Sequence, residues 1–172
     1  QARLLRQAAA VLGAGGLVAV PTDACYVLAC RLGDKSAADR LRAIRGLDQR
    51  HLLTLMCRDL SELSTYARVD NRQYRFLKDW TPGPYTFVLD ATKEVPRRLC
   101  HPSRRTIGLR VPDAAVAQGL LEAHGEPVLC SSLILPDQDD PLNDAGEIVA
   151  RLAPRVDLVL DAGGQGFVPT TV

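Results

Sequence analysis

The chain has 172 residues, 47% of them hydrophobic and 24% charged, with a formal net charge of +1. These values describe one folded domain with a real core, and they exclude both a disordered chain and a protein that wraps nucleic acid by bulk charge. No apolar run approaches the roughly 20 residues of a membrane span and no signal-peptide pattern opens the chain, so a cytoplasmic protein without membrane contact is expected.

Residues Arg3 to Leu12 read as a helix with one apolar face, stopped by Gly13 and Gly15-Gly16. Leu17 to Val20 is a short apolar strand broken by Pro21, and Tyr26 to Leu32 is a second. Ser36 is expected to cap a helix reaching Arg45, with Ala37, Leu41 and Ile44 inward. Leu52 to Cys57 reads as a buried strand. Asp59 caps the next helix, and Asn71 one that ends near Trp80. Thr81-Pro82-Gly83-Pro84 has to turn, because two prolines and a glycine exclude helix and central strand.

Tyr85 to Leu89 and Thr106 to Val111 follow as strands, and Asp113 is expected to cap a helix running through His124. Val128 to Ile134 is a strand, Asp144 to Leu152 a helix, and Val156 to Leu160 a last strand. Near alternation of strands and helices predicts an α/β fold with helices covering a mostly buried sheet. No full crossover helix separates Tyr85 from Val111, which predicts a mixed sheet. The chain reads as one domain over 1–172, trimmed at both ends, since it opens on Gln1 and closes on Val172 inside what reads as a structured element.

Five cysteines, Cys25, Cys30, Cys57, Cys100 and Cys130, are scattered through apolar runs without a CxxC pair. They read as buried thiols of a reducing compartment, and no metal site is expected. A nucleophile built from Cys25 or Cys100 with His51 or His101 is a minor alternative. Arginines dominate the basic residues and form two clusters, Arg40 to Arg50 and Arg97 to Arg110. Most read as a solvated face. Arg110 differs, because an arginine inside an apolar strand needs an anionic partner.

Four segments place small or hydroxyl residues beside turn residues at strand ends. They are Pro21-Thr22-Asp23, Pro82-Gly83-Pro84-Tyr85-Thr86, Thr106-Ile107-Gly108-Leu109-Arg110-Val111-Pro112 and Cys130-Ser131-Ser132. If the fold gathers those ends, the crevice suits a phosphate or carboxylate ligand. Neither GxGxxG nor GxxxxGK[ST] is present, so a nucleotide would be held in another way.

The order PTD…Y, PGPxT, TxGxRVP, a serine-bearing strand and a terminal PTTV resembles the YrdC/YciO family, and residues 52–69 are most similar to its YciO branch. The resemblance implies a twisted, open mixed sheet flanked by helices around a large concave cleft. It also implies an L-threonylcarbamoyladenylate synthase, which joins L-threonine, bicarbonate and ATP, with Mg²⁺ on the nucleotide, for tRNA threonylcarbamoyladenosine modification. The alternative it leaves open is double-stranded RNA or tRNA binding without synthase activity.

Carried over by motif, Thr22, Tyr26, Arg110 and Thr170 are the substrate-binding candidates, and Arg45, Thr86, Thr106 and Ser132 the nucleotide-binding ones. No catalytic residue is assigned. The chain departs from the family pattern at Ala24 and Val27, and at Leu133-Ile134 after the serine. In the KxRPxxxPL segment, Arg45 keeps the first cation, while Leu47 and Asp48 replace the second cation and the proline.

Overall fold

In the computed structural model, residues 2–161 are described. They form α1 (Ala2–Gly13), β1 (Val18–Pro21), β2 (Tyr26–Arg31), α2 (Lys35–Arg45), β3 (Thr54–Met56), α3 (Leu60–Tyr66) and α4 (Asn71–Trp80). There follow β4 (Phe87–Asp90), a 3-10 turn at Arg97–Leu99, β5 (Thr106–Arg110), α5 (Ala115–His124), β6 (Val128–Ser132), α6 (Ala145–Leu152) and β7 (Leu158–Val159). Among the described residues, no helix is long and apolar enough to cross a membrane.

The strands make one open, mixed sheet in the order β4-β5-β3-β6-β2-β1-β7. Pairs β3/β5 and β1/β7 are parallel, and the other neighbours are antiparallel. β4 and β5 pair antiparallel, and the chain between them holds only a 3-10 turn and loops, with no helix to make a covered crossover.

Side-chain alternation divides the sheet into two faces. Ala19, Leu28, Leu55, Leu109 and Leu129 point to one side, where Leu41, Ile44, Leu77 and Ile148 of the helices complete a buried core. Val18, Val20, Val27, Ala29 and Cys130 point to the other, against Ala8 and Leu12 of α1 and Leu120 and Leu121 of α5. α1 and α5 pack on each other, and Gly119 permits that approach, since a Cβ there would stand 2.6 Å from Leu5 Cδ1. These two helices lie over β1 and β2. On the same face Met56 of β3 and Arg110 of β5 are buried, whereas Val88 on β4 is 57% exposed.

Several helix starts differ from the sequence reading. Asp34, not Ser36, caps α2, its carboxylate accepting the Ala37 N–H at 2.9 Å. Asp70, not Asn71, caps α4 and forms a reciprocal capping box with Gln73. α5 begins after Ala114 with no side-chain cap, so Asp113 does not serve. Asp59 caps α3 as expected. Strands are shorter than the apolar runs that announce them: β3 begins at Thr54 rather than Leu52, and β7 spans only Leu158–Val159. β4 begins at Phe87 rather than Tyr85, because the preceding turn is held to the end of β5 by the Gly83 N–H bonded to the Val111 carbonyl at 2.9 Å.

Candidate functional site

Three strands meet in register on the open face. Thr54 of β3 stands beside Gly108 of β5 on one side and Cys130 of β6 on the other. At one end of that row Gly108 has no side chain, and a Cβ there would stand 3.0 Å from Thr86 Cγ2 and 3.5 Å from Thr54 Oγ1. Both of those threonines line a polar cavity of about 180 Å³. Its wall is built by Thr54, Thr86, Ser131 and Ser132, with Arg45, Arg110 and His51 around them.

Each of these side chains is held by the local fold. Arg45 is the last residue of α2, which stops at Gly46 in the left-handed region (φ 70°). From there the Arg45 guanidinium reaches the end of β6, where Nε donates to the Ile134 carbonyl at 3.1 Å and Nη1 to Ser131 Oγ at 2.6 Å. Burial lowers the Arg45 pKa, but a guanidinium stays charged in any working range. The Ser132 hydroxyl faces the Cys25 thiol and lowers its pKa, against the larger rise that burial causes. Thr86 is buried just ahead of β4.

Arg110 is the largest fully buried side chain of the described residues. Its guanidinium is ion-paired with Asp23 in the turn between β1 and β2. The sequence foretells a buried arginine in need of an anion and expects that anion to be a ligand group, yet Asp23 already supplies a carboxylate. Asp23 lies in a segment singled out by sequence, but nothing in the pattern distinguishes it as a partner of a strand so far along the chain.

The other candidates are placed unevenly. Thr22 Oγ1 donates to the Cys25 carbonyl at 2.6 Å and accepts the Ala24 and Cys25 N–H groups, so its hydroxyl builds the β1–β2 turn. Tyr26 lies in the core on the opposite face of the sheet, with its hydroxyl donating to the Leu160 carbonyl at 2.8 Å. Thr106 lies two residues before Gly108, hence on the same face of β5, opposite Asp90 and outside the cavity wall. Thr170 lies outside the described residues.

The fold also settles where the nearby cations go. Arg42 is buried, donating Nε to the His51 carbonyl at 3.0 Å. Arg50, Arg97, Arg98, Arg104 and Arg105 are exposed, the solvated face that their clustering suggests. All five cysteines are buried and free. His51 is the cavity residue that the sequence reading assigns only to a minor thiol pairing; it lies in a loop without periodicity, where no pattern marks it.

The Sua5/YciO/YrdC family model, described as telomere recombination, matches residues 10–172. The chain belongs to the Sua5/YciO/YrdC family. It is 52% identical to Escherichia coli YciO over 172 residues, covering 100% of this chain and 84% of that protein. The crystal structure of E. coli YciO superposes with a TM-score of 0.95 over the same shares. The bovine threonylcarbamoyl-AMP synthase is 33% identical over 162 residues, 94% of this chain but 57% of that longer protein. P. abyssi Sua5, solved in complex with L-threonine, shares the fold at 24% identity with a TM-score of 0.86, across 96% of this chain and 48% of that one. Both Sua5 and YciO are therefore built on the open mixed sheet described above.

Proposed function

We propose that the cavity is an amino-acid and nucleotide site and that the protein is a threonylcarbamoyl-AMP synthase-like enzyme of the Sua5/YciO/YrdC family. The observation that carries this reading is the convergence of Arg45, Thr54, Thr86, Ser131 and Ser132 on one cavity. Membership of a family with synthases, and an L-threonine complex in a Sua5 of the same fold, support L-threonine as the amino acid.

In this reaction the amine of threonine takes up bicarbonate as a carbamate, and a carbamate oxygen then attacks the α-phosphorus of ATP, expelling pyrophosphate. Such a transfer needs positioning and compensation of negative charge more than a covalent nucleophile. Arg45 would face the anionic groups, and the hydroxyls would orient them. Mg²⁺ would arrive on the triphosphate as part of the substrate. Leu47, where the family pattern has a second cation, leaves Arg45 beside an Arg110 whose charge Asp23 balances. Turnover slower than in relatives with both cations is expected.

The test is pyrophosphate release from ATP that requires both L-threonine and bicarbonate. Dependence on both supports the reading, and release indifferent to threonine overturns it. A second reading, RNA binding, rests on the exposed arginines at 97, 98, 104 and 105. It requires affinity for double-stranded RNA that falls steeply with salt, and a flat salt response removes it.

A further inference from the structure

His51 lines the cavity from the segment that joins α2 to β3. Its backbone is held at both ends: its N–H donates to the Asp48 carbonyl at 3.2 Å, and its carbonyl accepts Arg42 Nε at 3.0 Å. Its imidazole, by contrast, has no hydrogen-bond or ion-pair partner among the described residues. A ring with a fixed anchor and two uncommitted nitrogens, opening on a cavity walled by hydroxyls and a guanidinium, is built to exchange a proton with whatever enters.

The surrounding charges set the direction of that exchange. Partial burial comes first, and then Arg45 and Arg42 of α2 disfavour the imidazolium, against a single opposing carboxylate from Asp48. The Arg110 guanidinium of β5 also faces the cavity, but with Asp23 paired to it. His51 is therefore neutral at physiological pH, and the ring is a base rather than an acid. The same cations disfavour the ammonium form of a bound amino acid, which lowers the cost of removing its proton.

We propose that His51 is the catalytic base that takes the proton from the substrate amine, an assignment that rests on the synthase reading above. An N–H bond of the ammonium breaks and the proton moves to an imidazole nitrogen. The freed lone pair attacks the carbon of bicarbonate. The bicarbonate hydroxyl leaves as water with a second amine proton, and the nitrogen keeps the third as the carbamate N–H. No oxidant, reductant or further reactant is needed.

The experiment compares wild type with His51→Gln in the threonine- and bicarbonate-dependent assay, as kcat and KM over the acid and neutral range. Because His51 is exposed, the variant is expected to fold, which its circular dichroism and melting temperature verify. Its kcat should fall by about 100-fold or more, the usual contribution of a positioned base, with KM for ATP unchanged. Wild-type kcat should lose activity on the acid side with a midpoint below the ordinary imidazole value of about 6.5, and the variant should lack that limb. Added imidazole should restore part of the activity of His51→Ala. A variant with near wild-type kcat, or one that keeps the acid limb, overturns the assignment and leaves the synthase reading standing. A wild type that releases no pyrophosphate with threonine and bicarbonate removes both.

Discussion

Arg110 and Asp23 lie 87 residues apart in the chain and form a buried ion pair, with side chains 2% and 13% exposed. The pair ties the β1–β2 turn to the end of β5, where Arg110 lines the cavity. A pair this buried is weak evidence of net stability, but breaking it from one side is costly. Asp23→Asn should lower the unfolding free energy by about 3–5 kcal/mol, and the double variant Asp23→Asn/Arg110→Met should recover most of that loss. Urea denaturation measures both. A single-variant midpoint close to wild type would show that the pair carries no structural load.

Gly108 makes a separate prediction about the cavity. A methyl group there meets Thr86 Cγ2 at 3.0 Å and Thr54 Oγ1 at 3.5 Å, closer than the first neighbour can comfortably accept. Gly108→Ala should cost about 1–3 kcal/mol of stability as overpacking, and it should weaken threonine binding by displacing Thr86 and Thr54, which line the cavity. Thr86→Ser removes the offending Cγ2 and should restore part of the stability of Gly108→Ala. Calorimetric titration with L-threonine, beside urea melts of the single and double variants, separates the two effects. Unchanged binding in Gly108→Ala would place the ligand elsewhere.

How far the sequence reaches is clear from these residues. The alternation of Ile107, Leu109 and Val111 with Thr106, Gly108 and Arg110 is enough to assign a strand with one apolar face, and it marks Arg110 as unusual. The mixed sheet is likewise legible, because the chain between Tyr85 and Val111 lacks a crossover helix. What cannot be read is long-range partnership. Asp23 and Thr22 are equally plausible polar ends of a turn, and only the fold shows that one meets Arg110 while the other closes its own turn. Tyr26 follows the family motif, yet strand alternation sends it to the far face. His51 carries no periodic signal at all, and only its place between two fixed backbone contacts brings it to the cavity. Ser36 and Asp34 are both good caps two residues apart; the extended backbone of Asp34 (φ −104°, ψ 98°) decides between them.

That choice of cap is open to measurement. Asp34→Ala and Asp70→Ala should each cost about 1 kcal/mol, with Ser36→Ala near neutral. The Ala37 N–H, and after it the charge of Arg31, hold the Asp34 carboxyl below the usual carboxylate range. Its folded pKa is thus lower than its unfolded one of about 3.9. The stabilisation is complete above the unfolded value and is lost as pH falls through the folded one. The gap between wild type and Asp34→Ala should therefore be full at neutral pH and shrink under acid. Urea melts at the two ends of that range verify it, and a gap that is constant with pH would mean that the carboxylate does not cap α2.

The thiols report on the cleft without any assay of turnover. Burial pushes Cys30 and Cys130 up to about 12, Cys57 well above its ordinary value, and Cys25 and Cys100 upward as well. Since the thiolate is the reactive form, all five should resist a disulfide reagent near pH ~8 in the native state and react together in denaturant. Cys130 is the informative one, because it stands in the row of Thr54 and Gly108 beneath the cavity. If the cleft opens on the timescale of the reaction, Cys130 should label first, and L-threonine should slow it by filling the space above it. Peptide mapping identifies the modified residue. Labelling that begins at Cys100 and is indifferent to threonine would mean that the sheet under the cavity stays closed, and that the ligand does not rest on this row.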